Sequence, residues 1–156
     1  MYFVLLVYEF MSKKLILLVE DNADDELLTI HALNKSKVAV DVTVVRDGAE
    51  ALDYLFCEGH YHTRNHRLLP DMVLLDLKLP KVDGIGVLKQ IKRNEATATL
   101  PVIVLTTSSE QSDIASSYKL GANSYIRKPV DFEEFTHAIS RIGEYWLSLN
   151  LQVQLQ

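Results

Sequence analysis

Five residues able to do chemistry stand where short apolar runs of the chain stop. The run Val73-Leu74-Leu75 stops at Asp76, and Leu15 to Val19 stops at Glu20 and Asp21. "PVIVL" stops at Thr106, and "NSYIRKP" leads to Lys128 with Pro129 behind it. Taken singly, an acid after an apolar run is ordinarily a turn or helix cap, a threonine there an N-cap, and a lysine before proline a solvated side chain. Together they supply three carboxylates, a hydroxyl and an ammonium. If the runs ending at Glu20-Asp21 and at Asp76 are neighbouring strands, their carboxylates converge and repel unless a cation is present. Oxygen-only ligands of this hardness suit Mg²⁺, which keeps several of its waters.

The elements that must position these residues alternate along the chain. Leu15 to Val19 reads as a strand. A helix is expected from Ala23 to Ser36, with Asn22 as N-cap and Asp24, Asp25 and Glu26 in a first turn whose dipole favours carboxylates. Val40 to Val45 is the second strand, turned by "RDG", and Ala49 to Cys57 is helical. "EGHYHTRNHRLLP" reads as a long, polar, flexible insertion in which His60, His62 and His66 are solvated rather than metal ligands. The third strand ends at Asp76 and a helix runs from Ile85 to Asn94. The fourth strand ends at Leu105, and "TTSSE" opens a helix to Leu120. The fifth strand lies in "NSYIRKP", and the last helix runs from Asp131 to Leu149. Five strands alternating with five helices imply an α/β doubly wound fold, a five-stranded parallel sheet with helices on both faces. In such folds chemistry sits beyond the carboxyl ends of the strands, where the strand order switches.

The 156 residues are 48% hydrophobic and 24% charged, which fits one domain with a full core. A net charge of −5 without a Lys/Arg cluster argues against direct nucleic-acid binding. A single cysteine, Cys57, permits no internal disulfide and fits the reducing cytoplasm. No apolar run approaches the roughly 18 residues of a membrane span. Nine of the first ten residues are apolar, and "MSKK" follows at Met11. Residues 1–11 therefore read as a mis-called start or appended segment, or else as an extra strand or contact arm. Residues 12–150 form the single expected domain, with 151–156 as a tail too short to carry an output.

The set "VEDN", "LLDLKLPKVDG", "VLTTSS" and "YIRKPV" resembles the receiver domain of two-component response regulators, in order and spacing, over roughly residues 13 to 145. The insertion before the third strand, "LPDMVLLDLKLPKVDG", "PVIVLTTSS" and "GEYWL" are most similar to the single-domain regulators of cyanobacterial and bacterial phytochromes. The resemblance implies the flavodoxin-like strand order 2-1-3-4-5. It implies that Asp76 accepts a phosphoryl group from a sensor histidine kinase, phytochrome-like, and that the chain is a signalling protein, catalysing only its own phosphoryl transfer and dephosphorylation. Mg²⁺ would be held by Asp21, Asp76 and the Lys78 backbone carbonyl, with Glu20 acting through water. Lys128 would pair with a phosphoryl oxygen across a cis Lys128–Pro129 bond. Thr106 and Tyr125 would form the switch, changing the surface of the fourth helix, fifth strand and fifth helix. Kinase contact would involve the first helix, including Leu27 and Ile30. Thr107 and Lys78 depart from the smaller or neutral residues usual at their positions, and both border the path of a hydrolytic water.

On the last helix, Phe132, Phe135, Ile139, Ile142, Trp146 and Leu149 recur at steps of three and four, a stripe that packs on the sheet. Tyr145 and Leu147 lie off that stripe. Tyr145, Trp146 and Leu147 are therefore expected at a partner surface, with Trp146 alternatively folding back on its own domain. The resemblance to the phytochrome-linked regulators implies a homodimer through the face of the fourth helix, fifth strand and fifth helix. Three other readings compete. A dehalogenase-type aspartyl-phosphate enzyme needs an acid two residues after the nucleophile, where Lys78 stands. A receiver-like interaction module would not need Asp21, Asp76, Thr106 and Lys128 together. A flavin protein would need a glycine- or hydroxyl-rich loop where Glu20 and Asp21 stand.

Overall fold

The structure, a computed structural model, describes residues 1–4 and 13–153. Most of the apolar N-terminal segment therefore lies outside the described residues. The elements are β1 (Lys14–Val19), α1 (Ala23–Asn34), β2 (Val40–Val45), α2 (Gly48–Phe56), a 3₁₀ turn (Gly59–Tyr61), β3 (Met72–Leu75), α3 (Gly84–Arg93), β4 (Val102–Thr106), α4 (Gln111–Lys119), β5 (Ser124–Arg127), α5 (Phe132–Glu144) and a closing π turn (Tyr145–Leu149). The strands pair in parallel in the order β2-β1-β3-β4-β5. This is the doubly wound sheet that the alternation of elements requires.

The period of two along each strand divides the apolar runs between two cores. Leu17, Val19, Val73, Leu75, Val102 and Val104 face one side, packed with Ala51, Leu55, Val87, Leu88 and Ile91 of α2 and α3. Ile16, Leu18, Met72, Leu74, Ile103 and Leu105 face the other, packed with Ala32 and Leu33 of α1 and with Phe135, Ile139 and Ile142 of α5. Strands buried on both faces read as continuous apolar runs, which is why β1, β3 and β4 were legible.

Four helices start on a side-chain cap. Asn22 accepts from the Asp25 N–H at 3.0 Å, Asp47 from Glu50 at 2.7 Å, Asp83 from Gly86 at 2.8 Å and Asp131 from Glu134 at 3.0 Å. Each satisfies an N–H that has no partner inside its helix.

Two segments differ from expectation. The polar insertion is held by its own contacts. The Tyr61 ring meets Tyr54 edge-on at 5.1 Å and its hydroxyl donates to Glu50 at 2.8 Å. The Arg64 guanidinium lies 3.9 Å over the Tyr54 ring and donates to the Leu68 carbonyl at 2.8 Å. His60, His62 and His66 are exposed on its outside. The last helix does not stay α-helical to Leu149. Its end widens into a π turn, closed by a bond from the Asn150 N–H to the Tyr145 carbonyl at 2.7 Å. The wider turn carries position 147 to the inward face that an unbroken helix would give to 146. Leu147, expected at a partner surface, is 5% exposed and lies in the second core, while Leu149 is 73% exposed. Trp146 is half-buried against the same core, and Tyr145, at 50% exposure, stands over it edge-on at 5.0 Å.

Candidate functional site

Parallel strands end at one edge of the sheet, so the residues that follow them gather there. The Glu20 N–H donates to the Val45 carbonyl at 3.0 Å and the Asp76 N–H to the Val19 carbonyl at 3.1 Å. Both acids are therefore fixed by the last rungs of the ladder. Glu20 is 2% exposed and Asp76 8%, while Asp21 points to solvent. One oxygen from each of the three lies within 4.8 Å of the others. This is the convergence expected of neighbouring strands, and its charge suits a divalent cation.

Lys128 enters from the far side of the sheet. Its N–H donates to the Thr106 carbonyl at 2.7 Å, which sets the start of its side chain. The ammonium donates to Asp76 Oδ2 at 2.8 Å, to Asp25 Oδ2 at 2.9 Å, and to Glu20 Oε2 and Oε1 at 3.0 and 3.1 Å. The Lys128–Pro129 bond is trans, not cis as the resemblance implied. From that bond the long lysine chain reaches the acids.

Burial and charge set the protonation states. Burial pushes the Asp76 carboxyl up, but the Lys128 hydrogen bond and charge, with the Lys78 N–H at 3.1 Å from Oδ1, hold it below the ordinary carboxylate value. Glu20 goes the other way. Burial, with the Asp76 charge beside it, pushes its pKa up to about 8 against the pull of Lys128. Burial alone would lower Lys128, but its hydrogen bonds to Asp76 and Asp25 and the surrounding carboxylate charge raise it above the ordinary lysine value. The site thus holds an ionised Asp76, a permanent ammonium and a Glu20 poised to lose a proton.

Thr106 closes the fourth strand, is fully buried, and accepts from the Ser108 N–H at 3.5 Å. Tyr125, half-buried on β5, donates its hydroxyl to the Ser108 carbonyl at 3.0 Å. Thr106 and Tyr125 thus share one loop residue. Lys78 and Thr107 are exposed at the rim.

The structure brings Glu20, Asp21, Asp76, Thr106 and Lys128 to one edge, with Tyr125 joined to the loop after Thr106 through Ser108. Tyr145 and Trp146 lie elsewhere, at the end of α5. Sequence reasoning missed two contributors. Asp25 was read only as a dipole-matched acid, yet it turns from the first turn of α1 into the Lys128 ammonium. Ser108 was read only as part of a helix start, and its two residues' separation from Thr106 was the available signal.

The family model for the response regulator receiver domain matches residues 16–140. The probable methanogenesis regulatory protein FilR2 of Methanothrix harundinacea is 46% identical over 136 residues, 87% of this chain and 85% of that protein. Response regulator Rcp1 of Synechocystis sp. is 37% identical over 134 residues, 86% of this chain and 89% of that protein. The crystal structure of the Mn²⁺-bound form of Rcp1 matches with a TM-score of 0.84 at 35% identity, covering 90% of this chain and 99% of that one. The phosphorylated cyanobacterial phytochrome response regulator RcpA matches with a TM-score of 0.85 at 42% identity, covering 92% of this chain and all of that one. With the family's fold, and with acids, hydroxyl and lysine meeting at one sheet edge, the chain belongs to the response regulator receiver domain family.

Proposed function

We propose that Asp76 accepts a phosphoryl group from a phosphohistidine of a sensor histidine kinase, and that the added charge changes the surface formed by α4, β5 and α5. One observation carries this reading: a buried carboxylate at a strand end, 2.8 Å from the Lys128 ammonium and held ionised by it. Already ionised, Asp76 needs no general base. One of its oxygens forms the new P–O bond as the P–N bond to the donor imidazole breaks. The electron pair of that bond stays on the imidazole nitrogen, which solvent protonates.

Lys128 then turns from carboxylate oxygens to a phosphoryl oxygen, a charge-assisted hydrogen bond. The Thr106 hydroxyl donates to another. Tyr125 follows through Ser108, which both residues touch. Asp21 and Asp76, the Lys78 backbone carbonyl, and Glu20 through water would hold Mg²⁺, a fit supported by the three converging carboxylates. When bound, Mg²⁺ supplies positive charge that offsets the phosphoryl oxygens. The Mn²⁺-bound Rcp1 and the phosphorylated RcpA support both parts of the reading.

The receiver unit is taken as residues 12–150 and its setting as the cytoplasm. No helix among the described residues is long and apolar enough to cross a membrane. The phytochrome relatives favour a phytochrome-type kinase. It would dock on α1, where Leu27 is exposed and Ile30 half-buried. Signalling runs through protein contacts, including a homodimer through the α4-β5-α5 face to which Tyr145 and Trp146 contribute, and not through direct contact with nucleic acid.

The test is intact mass after incubation with acetyl phosphate, with and without Mg²⁺, on wild type and Asp76→Asn. A single Mg²⁺-dependent, hydroxylamine-labile adduct on wild type alone is expected. No adduct, together with no transfer from a phosphorylated kinase, would leave a receiver-shaped interaction module.

A further inference from the structure

We propose that Gln152 is a positioning residue for the partner surface. Its amide holds the closing π turn, and so decides that Leu147 rather than Trp146 is taken into the core. The use made of that surface rests on the homodimer reading; the hold on the turn does not.

The π turn redirects one hydrogen bond. In an α-helix the Asn150 N–H would bond to the Trp146 carbonyl, four residues back. Here it bonds to the Tyr145 carbonyl at 2.7 Å. The Trp146 carbonyl takes a donor from a side chain instead, Gln152 Nε2 at 3.1 Å. The same nitrogen donates to the Asp71 carbonyl at 2.9 Å. A side-chain amide nitrogen carries two protons, and here both go to main-chain oxygens. The neighbours point the other way. Leu151 is 95% exposed and Val153 64%, while Gln152 between them is half-buried. A polar side chain turned inward between two exposed apolar ones reverses the ordinary preference, as a residue held by its hydrogen bonds does.

Asp71 is a fixed anchor for this amide. Its N–H donates to the Leu15 carbonyl at 2.7 Å, and its carboxylate accepts from the Leu15 N–H at 2.8 Å. Both bonds lock it beside β1 at the start of β3, the sheet edge opposite the acidic site. Gln152 thus fastens the end of α5 to the sheet. Without the amide, the Trp146 carbonyl loses this donor. The last turn regains one by closing to α geometry, with the Asn150 N–H on the Trp146 carbonyl. Position 146 then faces inward and position 147 outward.

Trp146 is the chain's only tryptophan, so its fluorescence reads the turn without background. Gln152→Met keeps the length of the side chain but donates nothing. Gln152→Glu keeps its shape and turns carboxylate oxygens on the two carbonyls. Gln152→Lys supplies donors again. A cooperative unfolding transition first shows that each variant is folded. At a dilution where the protein sediments as a monomer, Met and Glu should shift Trp146 emission to shorter wavelength and reduce its quenching by acrylamide. Lys should match wild type. At higher concentration, self-association should weaken in Met and Glu and persist in Lys. Wild-type emission in Met and Glu would overturn the proposal, as would a Lys variant that shifts as far as they do. A shift to longer wavelength would overturn it too, because the turn would then fray rather than change phase. A wild type that never self-associates would remove the homodimer reading alone, since emission is read on the single chain.

Discussion

A side-chain carbon at Gly84 would lie 2.3 Å from the carbonyl oxygen of Asp76 and 2.5 Å from the Cα of Leu77. The first turn of α3 thus packs directly on the backbone that carries the acid. The Gly84 N–H also donates to the Leu77 carbonyl at 2.8 Å. The "DG" at residues 83 and 84 has two separate jobs: Asp83 caps α3, and Gly84 lets the helix approach the loop.

Gly84→Ala should accordingly displace the Asp76 loop, since the obstructing atoms are backbone and cannot turn aside. A loss of about 1 to 3 kcal/mol is expected in denaturant unfolding, the range for overpacked sites, together with reduced phosphoryl uptake. Gly86→Ala is the contrast. There the nearest atoms are a Val82 methyl at 3.0 Å and the Asp83 carboxylate at 3.2 Å, both on side chains. That variant should lose much less stability and keep uptake, and equal damage from both would refute the distinction.

Lys128→Met removes the cation that holds Asp76 ionised. The Asp76 pKa lies below its ordinary 3.8 because of Lys128, so the native state favours the carboxylate. That contribution to stability is present above 3.8 and fades as pH falls through the lower native value. In Lys128→Met burial acts unopposed by that cation, and the Asp76 carboxyl should titrate above the wild-type value. Carboxyl ¹³C resonances followed through an acid titration read this directly, and an unmoved Asp76 would contradict the assignment.

Glu20 gives a pH dependence of opposite sign. The native state keeps its proton up to about pH 8, whereas the ordinary value is 4.5. Between these the native state binds more protons than the unfolded chain, so metal-free stability should fall as pH rises through that window. Glu20→Gln should flatten this part of the denaturation-midpoint curve. Mg²⁺ binding should release protons within the same window, detectable as a buffer-dependent heat in calorimetry.

The end of α5 separates core from surface by one residue. Leu147→Ala should cost about 3 kcal/mol, as for other buried leucines, with no need to invoke a partner. Tyr145→Ala should leave monomer stability within about 0.5 kcal/mol, as exposed positions do, and weaken the proposed dimer in analytical ultracentrifugation. The reverse pattern would restore the unbroken helix that the apolar periodicity suggests.

These cases show which parts of the molecule the sequence discloses. Strand ends and their chemistry were legible because a doubly buried strand has no polar residue until it stops, so Glu20, Asp76 and Thr106 stood out. The Asn22 cap was legible from local pattern. The facing of Leu147 was not, because a π turn shifts helical phase, and the glycine before it, Gly143, sits within regular helix and does not mark the shift. Nor was Asp25, whose partner is 103 residues away and reached only when β5 closes the sheet. The peptide before Pro129, cis by resemblance, is trans in the structure, and nothing in the local sequence distinguishes the two isomers.

The lifetime of the proposed phosphoryl group should depend on Lys78 and Thr107. Both are exposed at the rim, flanking the buried Asp76 and Thr106. In the proposed reaction, hydrolysis needs a water to reach phosphorus opposite the Asp76 oxygen, and the resemblance implies that both residues border its path. On the proposed reading, the Lys78 chain and the Thr107 methyl crowd that approach. Lys78→Asn and Thr107→Ala should each shorten the lifetime, by about fivefold for a barrier change near 1 kcal/mol, and the double variant should show whether the two obstruct one path. Neither residue bonds Asp76 through its side chain, since the Lys78 contact is made by its backbone N–H. Uptake from acetyl phosphate should therefore change less than loss. Adduct decay followed by intact mass after removal of the donor measures the loss alone, and an unchanged decay in Lys78→Asn would show that its side chain does not guard the path.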